Sequence, residues 1–215
     1  MKSAIKFFSV SVTLLLFSGI LQGSSIPELF ESSYILESKG NYSEALNRVK
    51  GILLMEPRNY TATLRVSWLS YLNRNYSTSI EYYQKAVSLK PHAVEPLIGL
   101  TLPLMAIKNW KETEKIALQI ISRDPNNYYA NSRLAYSLYS QRRYGEAKSR
   151  YELVLRLYPS DLEMKLGMGW TYLAMGNKKR AKKFFNEALL ISRSNLNALS
   201  GLRANGRSRF DCKFL

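Results

Sequence analysis

The sequence predicts an all-α fold, a stack of antiparallel helix pairs, and three observations predict it. Aromatic residues Tyr42, Tyr76, Trp110 and Tyr144 stand 34 residues apart, with Lys178 on the next step. Pro57, Pro91, Pro125 and Pro159 keep the same interval, and Arg193 takes the fifth position. Two further registers are small or aliphatic throughout: Ala45, Ser79, Thr113, Ala147 and Ala181, then Ile52, Ala86, Ile120, Val154 and Ala188. Small residues let two helices approach closely, and a proline ends the second helix of each pair because it lacks an N–H and disfavours helical geometry in the residue before it. One such pair cannot bury its apolar face alone, so the pairs must stack.

These phased registers, together with the stretch IEYYQKAV at Ile80 to Val87, resemble the tetratricopeptide repeat, a helix-turn-helix unit of about 34 residues. The resemblance covers residues 26–195 and implies a right-handed superhelical solenoid of five units, 26–59, 60–93, 94–127, 128–161 and 162–195. Residues 196–215 would then be a capping helix and a basic tail.

In chain order, residues 1–25 have the form of an export signal or N-terminal anchor. Lys2 and Lys6 precede a mostly apolar run from Phe7 to Leu21, and Gly23, Ser24 and Ser25 offer small residues for cleavage before Ile26 or after Gly23. The run is short of the ~20 residues a membrane span needs. Export would place the protein in the periplasm or at the membrane of a bacterium, or make it secreted if the source is eukaryotic. The first unit predicts helices over Pro27–Lys39 and Tyr42–Glu56, with Gly40 and Asn41 in the turn. In the second unit Asn73, Arg74 and Asn75 make the same turn without glycine. The third contains Pro96 and Pro103, and a proline inside a helix predicts a kink between Gly99 and Pro103. The fourth and fifth are regular, and Leu196–Ala204 begins another first helix.

Composition excludes several classes of chemistry. One His and one Cys among 215 residues leave no set of zinc ligands and no disulfide within the chain. With His92 alone, three Asp and no glycine-rich phosphate loop, no acid–base or nucleophilic constellation can be assembled, so neither an enzyme nor a cofactor is expected. Glu112 and Glu114 sit two apart on a helix and diverge. Asn41, Asn59 and Asn75 open glycosylation-type triplets, but they fall at turns and read as products of repetition.

The formal charge is +15, and Lys178 to Leu215 alone contributes +8 of it. Lys178, Lys179, Arg180, Lys182 and Lys183 crowd a helix start, where the dipole disfavours cations by about 0.3–1 kcal/mol each. With Arg203, Arg207 and Arg209 they form a candidate basic patch for an anionic lipid surface or an acidic polymer. A charged helix start is also, more simply, a solvated face.

The resemblance implies that the first helices line a concave groove. There the phase after the small packing residues Ser33, Ser67, Thr101, Ala135 and Gly169 reads Tyr34, Trp68, Leu102, Tyr136 and Trp170, and a second phase reads Phe30, Leu64, Ile98, Ser132 and Leu166. Family members that grip a terminal carboxylate carry asparagine where these aromatics stand, so that clamp is not expected. The expected partner is an apolar or amphipathic segment of another protein, and the expected role an adaptor of the cell envelope. Such stripes also arise from plain core packing. Docking on acidic polymer or lipid is the alternative; nucleic acid ranks third, and oligomeric state is not readable.

Overall fold

A computed structural model describes residues 23–206, and among these it contains eleven α-helices and no strand. They are α1 (Ile26–Ser38), α2 (Tyr42–Met55), α3 (Tyr60–Leu72), α4 (Tyr76–Leu89), α5 (Glu95–Ala106), α6 (Trp110–Ile121), α7 (Tyr128–Ser140), α8 (Tyr144–Leu157), α9 (Leu162–Ala174), α10 (Lys178–Ile191) and α11 (Leu196–Gly206). Residues 1–22 of the predicted export segment and the residues Arg207 and Arg209 lie outside the described residues.

Local chemistry sets the helix boundaries. Asn59, Asn75, Asn109, Asn127, Asp161 and Asn177 each cap a helix start, their side-chain oxygen accepting a backbone N–H three residues on. Ser25 does the same for α1 within a capping box, and Glu28 accepts from the Ser25 N–H at 2.7 Å. The turns between paired helices share one device. Gly40, Arg74, Lys108, Arg142 and Gly176, 34 residues apart, all have positive φ, between 59° and 79°. The three basic residues adopt a left-handed backbone that glycine takes without strain.

Two registers form the seam of each pair. Ala45, Ser79, Thr113, Ala147 and Ala181 are all fully buried, as are Ile52, Ala86, Ile120 and Ala188. Hydroxyls on this seam are satisfied locally: Ser79 donates to the Ser67 carbonyl at 2.8 Å and Thr113 to the Asn109 carbonyl at 2.9 Å. In α5 the helix continues through Pro103 to Ala106, so the expected kink does not break it.

The chain divides into two compact units at Pro96 and Leu97. The first has its core in Leu29, Leu46, Val49, Ile52, Val66 and Leu69. The second is centred on Leu134, Leu138, Tyr151, Met168, Tyr172 and Phe185. There α11 closes over α9 and α10, with Ala198 and Gly201 buried.

Candidate functional site

In the second unit the first helices α7 and α9 bring together what the sequence proposed as groove residues. Ser132 and Tyr136 of α7 face Leu166 and Trp170 of α9 around a cavity of about 140 Å3. Its back wall is Tyr151 of α8, and Asn197 of α11 closes one side. Tyr136 remains 47% exposed and meets Trp110 edge-on, ring centroids 5.7 Å apart. Trp170 is half-buried; its indole N–H donates to the Asn197 side chain at 2.6 Å and its ring lies against Phe185. Leu166, at 2% exposure, belongs to the core and supplies part of the cavity wall.

Gly167 explains why there is space. Its register, 34 residues apart, reads Arg65, Gly99, Arg133, Gly167. Where arginine stands, it reaches back to the previous first helix. Arg65 Nε donates to Ser33 Oγ at 3.2 Å, and Arg133 donates to Thr101 Oγ1 at 2.6 Å and to the Ile98 carbonyl. At Gly167 there is no such side chain, and a Cβ would meet the Tyr151 ring at 2.4 Å. The cavity's polar edge is the exposed Glu163 carboxylate. Burial pushes the Tyr151 phenol pKa up, so it stays neutral.

In the first unit the same phases give a different surface. Tyr34 is 53% exposed, and the Arg65 guanidinium stacks on its ring at 3.7 Å. Trp68 is half-buried, and its N–H donates to the Glu37 carboxylate at 2.7 Å, which also pairs with the buried Arg65. Arg65 Nη2 has no hydrogen-bond partner. Trp68 therefore serves the packing of α3 on α1 at least as much as any ligand. Phe30 and Leu64 are partly buried beside it. In the second unit Leu102 and Ile98 are partly buried on α5.

The basic residues Lys178, Lys179, Arg180, Lys182, Lys183 and Arg203 are all exposed. Arg180 donates to Tyr172 Oη at 2.9 Å, and Lys183 lies 3.8 Å from Glu187.

Sequence reasoning missed Tyr139, Tyr151, Glu163, Met164, Gly167 and Asn197, which complete the cavity. The alternation of arginine and glycine in one register was the available signal. It also missed Glu37 and Arg65, for which the buried position of a long cation had no signature.

Residues 33–94 and 138–206 each match a tetratricopeptide-repeat family model, and the chain therefore carries tetratricopeptide repeats. Among curated relatives it is similar to mouse tetratricopeptide repeat protein 21B, 24% identical over 211 residues, covering 94% of this chain. The chain spans only 15% of that protein's length. Among solved structures it shares its fold with YrrB, described as a tetratricopeptide-repeat protein with an unusual peptide-binding site, at TM-score 0.67 and 17% identity over 87% of this chain and 97% of the other. MamA of Desulfovibrio magneticus RS-1 matches at TM-score 0.71 and 15% identity, covering 78% and 95%. The repeat defines a class of protein-interaction scaffolds, and that class contains this chain.

Proposed function

We propose that this protein is a non-catalytic adaptor that holds an apolar or amphipathic segment of another protein against the first helices of its second unit. One observation carries this: Tyr136 and Trp170, on consecutive first helices, close on a single cavity with an apolar wall and one free carboxylate at its rim. The cavity takes one large aliphatic or aromatic side chain, and Tyr136, half in solvent, covers it. Glu163 then accepts an N–H or a cation from the bound segment. The peptide-binding site ascribed to YrrB supports this use of the fold.

The test is a panel of peptides selected from a random library on the intact chain. Their affinity falls about tenfold or more in Tyr136→Ala, a truncation of an exposed anchor, and survives moderate salt. Unchanged affinity in that variant sinks the assignment.

We further propose that the adaptor works at the cell envelope, for which the support is the charged start and apolar run of residues 1–25. Ser25 and Glu28 favour cleavage after Gly23, because a cut before Ile26 removes a helix cap worth about 1 kcal/mol. Sequencing of the mature N-terminus is expected to begin at Ser24. A soluble product that retains Met1 overturns the envelope setting.

A further inference from the structure

Charge is divided unequally between the two units. Residues 23–96 carry 8 basic and 7 acidic side chains; residues 97–206 carry 18 and 8. The second unit also has a groove of about 630 Å3 between the second helices α8 and α10, distinct from the cavity at Tyr136.

Its floor is apolar: Leu155 and Pro159 from α8 and its end, Met168 from α9, and the pair Tyr172 and Phe184, whose rings stack at 5.6 Å. Its rim is charged, and the acids there are already matched. Lys165 pairs with Glu187 at 2.6 Å, Lys183 lies 3.8 Å from the same carboxylate, and Lys148 lies 3.7 Å from Glu152. One lining cation is left over. Arg156 is exposed, makes no ion pair among the described residues, and borders both this groove and a neighbouring one of about 480 Å3 that runs past Leu153 towards Leu118. Arg180 stands outside the lining and is engaged with it, its guanidinium donating to the Tyr172 hydroxyl 5.3 Å from that ring's centroid.

We propose that this groove is a second docking surface, which takes an acidic amphipathic segment of a partner protein. The apolar side chains of that segment lie on Leu155, Pro159 and Phe184, above the buried Met168 and Tyr172, and its carboxylates meet Arg156. The mixture of charges selects this occupant. A nucleic acid or acidic polysaccharide carries closely spaced charge, more than one unpaired arginine in the lining can match, and it would leave the apolar floor uncovered. A lipid headgroup surface would pair with Arg156 but leave the recessed apolar floor uncovered. Separated carboxylates alternating with apolar side chains fit both the floor and the unpaired Arg156.

The probe is a labelled peptide as long as α8, 14 residues, with leucine and phenylalanine on one helical face and glutamate on the other. Its affinity for the full chain is measured by fluorescence anisotropy. Arg156→Glu, at an exposed position where the helix dipole costs only about 1 kcal/mol of stability, weakens binding about tenfold or more; so does Phe184→Ser, and so does replacing the peptide's glutamates by glutamine. Tyr136→Ala leaves it unchanged. No binding up to about 1 mM overturns the proposal. A loss seen only in Tyr136→Ala also overturns it, while leaving the first-helix cavity intact. Capture on phosphatidylglycerol vesicles that falls in Arg156→Glu, with peptide binding indifferent to Phe184→Ser, overturns it in favour of a purely electrostatic lipid contact.

Discussion

Gly201 of α11 lies so close to Phe185 of α10 that a Cβ on it would stand 2.3 Å from the aromatic ring. Gly169 of α9 approaches the same ring, its Cβ position 2.5 Å away. The last helix is thus seated on a fully buried phenylalanine held between two glycines. Gly201→Ala must displace either the ring or α11, and overpacking of this kind costs about 1–3 kcal/mol. Gly145 of α8 has open space around its Cβ position, so Gly145→Ala gains about 0.5–1 kcal/mol of helix propensity. Urea unfolding of the two variants is expected to move in opposite directions, and equal shifts would contradict this packing.

The interhelix turns give a second expectation. Arg74, Lys108 and Arg142 hold φ near +60° where Gly40 and Gly176 sit in the equivalent turns. A left-handed backbone costs an ordinary L-residue about 1–2 kcal/mol, partly offset by the lower chain entropy of a non-glycine residue in the unfolded state. Each change to glycine is expected to raise stability by up to about 1 kcal/mol, and Gly40→Ala to lower it by a similar amount, in thermal melts of the full chain.

Arg65 and Glu37 form a pair in which the arginine is buried and the carboxylate also accepts from Trp68. Glu37→Ala leaves a buried guanidinium without its counter-charge, which costs about 3–5 kcal/mol. Replacing both partners with apolar residues, as in Glu37→Leu with Arg65→Met, removes the desolvation along with the pair and is expected to recover most of that loss. A double variant as unstable as Glu37→Ala alone would show that the hydrogen bond to Ser33 matters more than the charge.

Two phenols set an alkaline limit on stability. Burial, reinforced by Glu95 beside Tyr60 and by Asp161 beside Tyr128, raises both from 10.0 to about 12. Tyr128 donates to the Asp161 carboxylate at 2.7 Å, a bond that only the protonated phenol can make. The folded state therefore holds these protons more tightly than the unfolded chain. The stabilisation is complete below pH 10 and is lost as pH rises from 10 through about 12. Tyr60→Phe with Tyr128→Phe is expected to be less stable at neutral pH but to lose less over that alkaline window, as followed by circular dichroism. Parallel curves for variant and wild type would refute the assignment.

The fold was legible because the repeat is written in residues whose physics is local. Registers such as Ala45 and Ile52, and prolines such as Pro57, mark close approach and helix ends without reference to anything distant. The capping asparagines obey the same period and could have been read with them, since an N-cap acts within three residues. The candidate site was legible only in part. Tyr136 and Trp170 lie on the expected face, but a stripe at helical spacing does not say which rings are spent on neighbouring helices. Trp68 is spent on Glu37, and Leu166 on the core.

The sequence alone determines the period, the helix pairs, the turn positions and the cationic excess of the C-terminal half, because each depends on residues within one repeat or on a simple count. Tertiary structure decided the rest. That Gly167 leaves a cavity, that Arg65 is buried against Glu37, and that Arg156 remains unmatched are consequences of which side chains meet across helices about 30 residues apart. Those meetings are set by packing and desolvation between repeats, where one extra or missing side chain changes the surface while the period stays the same.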